Sequence, residues 1–372
     1  SGAWDPALRS AIARAPSRRF SSYWAVRGEL GGVAQKLAGD RGIVPIQIEN
    51  ADGFFPKLAE NLASLREYDR PHPLSVQSAV ASLKRYLAED RYRIRLHDLL
   101  VGTVHDTQER WKSAGIEMKS PRPDDATTVA RVKAYDASME LLLPMGKELG
   151  KWVRPDQFPV VCELLQSLAG DATLENGSFN FWRELSRYPA TQLLYAVGIS
   201  ALKADNLELI GRIFATDFRE ENRKVLPAVA VLLPMCLIDK RESLWPLHDG
   251  QKRHTPLSDW LENIMRGILA PGSNGDQYND PFTPIFDEFE MLGAAAYRAL
   301  MRGQREWLWV PFGCWGWRRS DDAGRLERLK ADLESNGKQS KLMRLGIFKN
   351  GEAEAQAVLD EVIEFAGKLN LW

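Results

Sequence analysis

Cysteine and histidine are scarce in this sequence: 372 residues carry three of the first and five of the second. Cys162, Cys236 and Cys314 are odd in number and far apart, which excludes a disulfide-stapled fold and a CxxC metal pair. Reduced, buried thiols in a cytoplasmic protein are expected instead, with no metal ligands assigned. An excess of one charge is also lacking. Lys and Arg number 49 against 50 Asp and Glu, a net charge of -1, so the overall charge gives no sign of the basic face that nucleic acid requires. No apolar run reaches the ~18–20 residues of a membrane span. The opening residues, with Trp4, Asp5 and Arg9, do not form an apolar signal core. What is present, 44% hydrophobic and 27% charged residues, is the balance of a folded chain long enough for more than one domain.

Two strand patterns come early, Arg19 to Val26 and Ile43 to Ile48, and helical spacings follow each. Leu30, Val33 and Leu37 recur at helix period, as do Phe55, Leu58, Leu62 and Leu65 behind an N-cap at Asp52. Strand, helix, strand, helix predicts a parallel βαβ unit. The sequence therefore predicts an α+β, mostly α protein, with a partial Rossmann-like segment over 1–68 and a linker at 69–74, where Pro71 and Pro73 break any helix. A helical domain spans 75–372. Its stripes include Val76, Val80, Leu83 and Leu87, then Leu257 and Leu261, then Phe289 and Leu292. Thr191 to Ala215 predicts an αα-hairpin whose small residues Ala196, Gly198, Ser200 and Ala201 allow close helix approach. Pro271 to Pro284 predicts a surface loop. The alternating tryptophans at 307, 309, 315 and 317 predict a small β-hairpin about Pro311-Phe312-Gly313.

Ser1-Gly2-Ala3-Trp4-Asp5-Pro6-Ala7-Leu8, RRFSSYWAVRGEL and IVPIQIENADGFFPKLAENL, in this order, resemble the closing turn, strand, last strand and closing helix of a sirtuin-like domain. The likeness is to bacterial sirtuin-like proteins with a long helical C-terminal region, many of which consume NAD in antiviral defence against phage. Phe286-Asp287-Glu288-Phe289-Glu290 and Trp309-Val310-Pro311-Phe312-Gly313 resemble parts of such regions too. The resemblance covers the first sixth of the chain well and the rest loosely. It implies NAD as substrate or ligand of a parent NAD hydrolase. The family's catalytic Asn and His, from the early and middle parts of its domain, are not matched, so no catalytic residue is assigned in this chain.

Cofactor-binding candidates follow from the same resemblance. Ser1 matches the Ser that faces the nicotinamide-side ribose, and Gly2 would permit close backbone approach; the pair also reads as a terminal remnant without a role. Arg27 lies at a strand exit, where open α/β sheets bind ligands, and reads equally as a solvated arginine. Asn50 and Asp52 border the adenine in the family, while Asp52 alone reads as a plain N-cap. His97 and His105 are too far apart for an i, i+4 zinc pair, and His248 and His254 flank a basic loop able to hold an anion. The tryptophans read as core or as a base-stacking platform. Asp287, Glu288 and Glu290 read as a solvated face more readily than as an acid–base pair. The function expected is a sirtuin-like NAD-binding effector whose helical region senses a trigger or mediates assembly. The alternative is a non-catalytic scaffold that binds a protein partner through the Thr191–Ala215 hairpin.

Overall fold

The computed structural model describes residues 23–27, 44–48, 75–114, 123–170, 180–220, 224–238, 241–272, 281–303, 309–317 and 323–369. The chain divides into two units, Ser1–Pro71 and His72–Trp372. In the first, β1 (Tyr23–Arg27) and β2 (Val44–Ile48) pair in parallel, with Tyr23 opposite Val44 and Arg27 opposite Ile48. Sixteen residues, 28–43, connect them, enough for the crossover of about a dozen or more residues that parallel neighbours require. The predicted helices at 30–37 and 52–65 and the linker at 69–74 lie outside the described residues.

The second unit is helical. Its described residues form α1 (Val76–Ala88), α2 (Arg93–Ser113), α3 (Asp125–Ser138), α4 (Leu142–Trp152), α5 (Phe158–Ala169), α6 (Asn180–Ser186), α7 (Tyr188–Lys203) and α8 (Leu207–Phe214). A short antiparallel pair follows, β3 (Asp217–Arg219) with β4 (Val225–Pro227). Then come α9 (Pro234–Leu237), α10 (Pro256–Leu269), α11 (Phe282–Leu300), α12 (Ala323–Asn336), α13 (Lys341–Arg344) and α14 (Glu352–Leu369). Local chemistry sets many ends. Ser75 caps α1 with a reciprocal Ser75–Ser78 box, Asp124 caps α3 through the Thr127 amide, and Gly170 closes α5 at φ 67°.

The centre of this unit is α7. Its sequence is apolar on every side, and all fifteen residues from Tyr188 to Leu202 are buried. The small residues foreseen for close approach do their work against other helices, not within the hairpin: Ala196, Ser200 and Ala201 meet α4, and Gly198 lies against Phe289 of α11. A Cβ on Gly150 would sit 2.2 Å from the Val197 carbonyl oxygen and 2.7 Å from Ser200 Cβ, so only glycine permits this crossing. The αα-hairpin itself exists as α7, the turn at Asp205 (φ 58°) and α8. Because α7 is interior, it offers no face to a partner.

Two expectations are corrected. Among the described residues the small antiparallel pair is β3–β4, not at the tryptophans: Trp309–Gly313 is irregular and Cys314–Trp317 forms a 3-10 turn, while Trp307 lies outside the described residues. Pro311 has no donor for a ladder, and the Cys314 amide bonds the Ser258 hydroxyl at 3.0 Å in place of a cross-strand carbonyl. The surface loop drawn to Pro284 also runs too far, since α11 begins at Phe282, whose ring is fully buried.

Candidate functional site

Two helices next to α7 carry polar stripes into the core. On α10, Ser258, Glu262 and Arg266 recur every four residues. On α11, Thr283, Asp287 and Glu290 stand at i, i+4 and i+7, which is one face. That face does not meet water. Asp287 is 0% and Glu290 3% exposed, and the nine residues from Phe289 to Tyr297 are all buried. Reading Asp287 and Glu290 as a solvated face is therefore corrected. Glu288 alone of the three is half-buried, and it pairs with Lys341. The missed signal is that Phe282, Phe286, Phe289 and the Ala294–Ala296 run leave this helix only a narrow solvated side, at Pro284 and Glu288.

The two segments FDEFE and WVPFG, far apart in sequence, meet here. Gly313 lies against the Glu290 carboxylate so closely that a Cβ would fall 1.6 Å from Oε2. Cys314, 3% exposed, follows it and places Sγ 3.7 Å from Glu262 Oε2, 3.8 Å from Asp287 Oδ1 and 3.8 Å from Glu290 Oε2. The other oxygen of each carboxylate is held from behind. Arg266 (2.7 Å) and Thr283 (2.6 Å) donate to Glu262 Oε1. Arg325 of α12 donates to Asp287 Oδ2. Tyr195 (2.9 Å) and Ser258 (2.5 Å) donate to Glu290 Oε1. Burial, and then Glu290, push the Tyr195 phenol well above its usual range, so it remains a donor. Ligand atoms of Asp287, Glu290 and Cys314 all lie within 4.8 Å of one another, and these three residues could hold a metal ion.

A second, half-buried carboxylate sits elsewhere along α7. Asp136 of α3 accepts from Tyr188 (2.8 Å) and Gln192 (2.7 Å) at Oδ1 and from Trp260 (3.1 Å) at Oδ2. Burial raises its pKa above the ordinary carboxylate value, against the pull of these bonds. Burial and the facing Asp136 drive the Tyr188 phenol upward in turn.

The other sequence candidates disperse. Arg27 is the last residue of β1, while Ser1, Gly2, Asn50 and Asp52 lie outside the described residues. His97 is exposed beside Glu163, and His105 is exposed on the same helix. His248 Nε2 bonds the Pro256 carbonyl at 2.8 Å. His254 stacks on Trp317 at 3.7 Å, Trp309 meets Tyr297 edge-on, and Trp315 is buried. One face of Trp317 is thus taken up by His254, and Trp309 packs against the core; Trp307 lies outside the described residues. No helix among the described residues is long and apolar enough to cross a membrane. No family model, curated protein or solved structure matches this chain.

Proposed function

We propose that this chain belongs to a sirtuin-like NAD-binding and NAD-hydrolysing effector, with a helical unit that senses a trigger or mediates assembly. The observation that supports this reading is the parallel pairing of β1 and β2 across a sixteen-residue connection. Parallel strands put both carboxyl ends on one edge, and open parallel sheets take nucleotides at that edge. Arg27 and Ile48 end the two strands side by side in the register. In this reading Arg27 meets a phosphate or the adenosine ribose, and Asn50 and Asp52, which follow β2 in sequence, border the adenine. The resemblance of Ser1–Leu65 to the end of a sirtuin-like domain supplies the choice of NAD among nucleotides, and cytoplasmic action fits that choice. No residue of this chain is assigned a bond-breaking role.

Calorimetric titration of NAD into the protein, paired with an NAD-consumption assay on the parent protein, tests the proposal. Binding by the wild type that weakens on Arg27→Ala is expected. A parent protein that neither binds nor consumes NAD under any trigger overturns it.

A further inference from the structure

The cluster in the helical unit is independent of the nucleotide reading, and its donor set has its own chemistry. We propose that Asp287, Glu290 and Cys314 form a site for one divalent transition-metal ion of the zinc class, with Glu262 beside it.

Five elements deliver the donors and their supports: α7, α10, α11, the 3-10 turn Cys314–Trp317 and α12. Each carboxylate divides its labour the same way. One oxygen is fixed from outside by Arg325, by Tyr195 and Ser258, or by Arg266 and Thr283, and the other turns toward Cys314 Sγ. Outer partners that orient ligating oxygens in this manner are the usual second layer of a metal site. The spacing agrees as well. An ion with metal–sulfur bonds of about 2.3 Å and metal–oxygen bonds of about 2.1 Å in tetrahedral geometry sets sulfur–oxygen edges of about 3.6 Å. The observed separations from Sγ to Asp287 Oδ1 and Glu290 Oε2 are both 3.8 Å.

The thiol also selects the ion. Magnesium and calcium take oxygen donors only, whereas zinc, cobalt and iron accept a thiolate beside carboxylates. On binding, the Cys314 sulfur–hydrogen bond is replaced by a sulfur–metal bond and the proton leaves to solvent. The ion would pin the Cys314–Trp317 turn to α11 where Gly313 already lets the backbone touch Glu290. Glu262 Oε2, 3.7 Å from the sulfur, is positioned to bond a fourth ligand such as water.

Zinc and cobalt(II) titrations of the whole 372-residue chain test the assignment. The expected result is one ion per chain by plasma mass spectrometry, and in the cobalt form a near-ultraviolet thiolate charge-transfer band. That band should vanish in Cys314→Ser and persist in Cys162→Ser and Cys236→Ser. Ser258→Ala, which removes a support from both Glu290 and the Cys314 amide, should weaken zinc binding about 10- to 100-fold. Folded wild-type protein that takes up neither ion in stoichiometric titration overturns the proposal, whether or not any variant folds. A cobalt–thiolate band that survives Cys314→Ser overturns it too.

Discussion

Two carboxylate centres, one half-buried and one fully buried, share the same two helices and meet the cost of desolvation differently. Tyr188 and Gln192 of α7, with Trp260 of α10, surround the single carboxylate of Asp136 with neutral donors. About two turns on from Tyr188, Tyr195 of α7 joins Ser258 of α10 at Glu290, inside a cluster of carboxylates, arginines and a thiol. The first centre points every donor at one charge. The second holds the charges from outside and turns their remaining oxygens inward on Cys314. A closed network of the first kind fixes how α3, α7 and α10 meet. An inward-facing arrangement of the second kind is what a ligand site looks like, because its preorganised oxygens converge on a point within the protein.

The largest expected contrast comes from removing a charge partner. Arg325→Met leaves Asp287 buried without the guanidinium that faces it, and breaking such a pair costs about 3–5 kcal/mol. Urea unfolding of this variant should show a loss in that range; a loss below about 1 kcal/mol would mean that the pair is solvated and the two centres are less different than described. Gly313→Ala comes next. The added methyl must displace the Glu290 carboxylate or its backbone, at about 1–3 kcal/mol, and should also lower zinc affinity if the turn and Glu290 share an ion. Unchanged stability would show that this backbone moves freely.

Tyr188→Phe removes one donor from the neutral centre. Hydrogen bonds to charged groups contribute about 1.5–3 kcal/mol, and thermal or urea unfolding should show a loss of this size with zinc binding unaltered. Altered metal binding would join the two centres into one. The smallest effect is in pH. The carboxyl of Asp136 is raised in the folded state from 3.8, so the native protein holds its proton more tightly than the unfolded chain. Stability contributed by this group is present below 3.8 and is lost as pH rises through the raised folded value. The wild-type urea midpoint, measured relative to Asp136→Asn, should therefore fall over that window. A rise would mean that the hydrogen bonds outweigh burial.

Much of the helical unit was legible from spacing. Leu83, Leu87, Leu257, Leu261, Phe289 and Leu292 are buried as their periodicity predicts. These features are local, so a window of a dozen residues contains them. The antiparallel pair was not read correctly, because alternation of aromatics at 309–317 mimics a strand while β3 and β4 are three residues each. The carboxylate–thiol cluster was legible only in parts. The pieces FDEFE and WVPFG could be picked out, but a charged residue at helix spacing is normally solvated. Only the packing of α10, α12 and the Cys314 turn around α11 shows that Asp287 and Glu290 have no water to face.

The buried stretch Tyr188–Leu202 of α7 has a consequence in time as well as in space. Amide protons along Tyr188–Leu202 can reach deuterium only when the surrounding helices part, and no surface fraying gives a shortcut to them. Their exchange rates would thus follow opening of the whole helical unit, which makes this one segment a built-in gauge of its global stability.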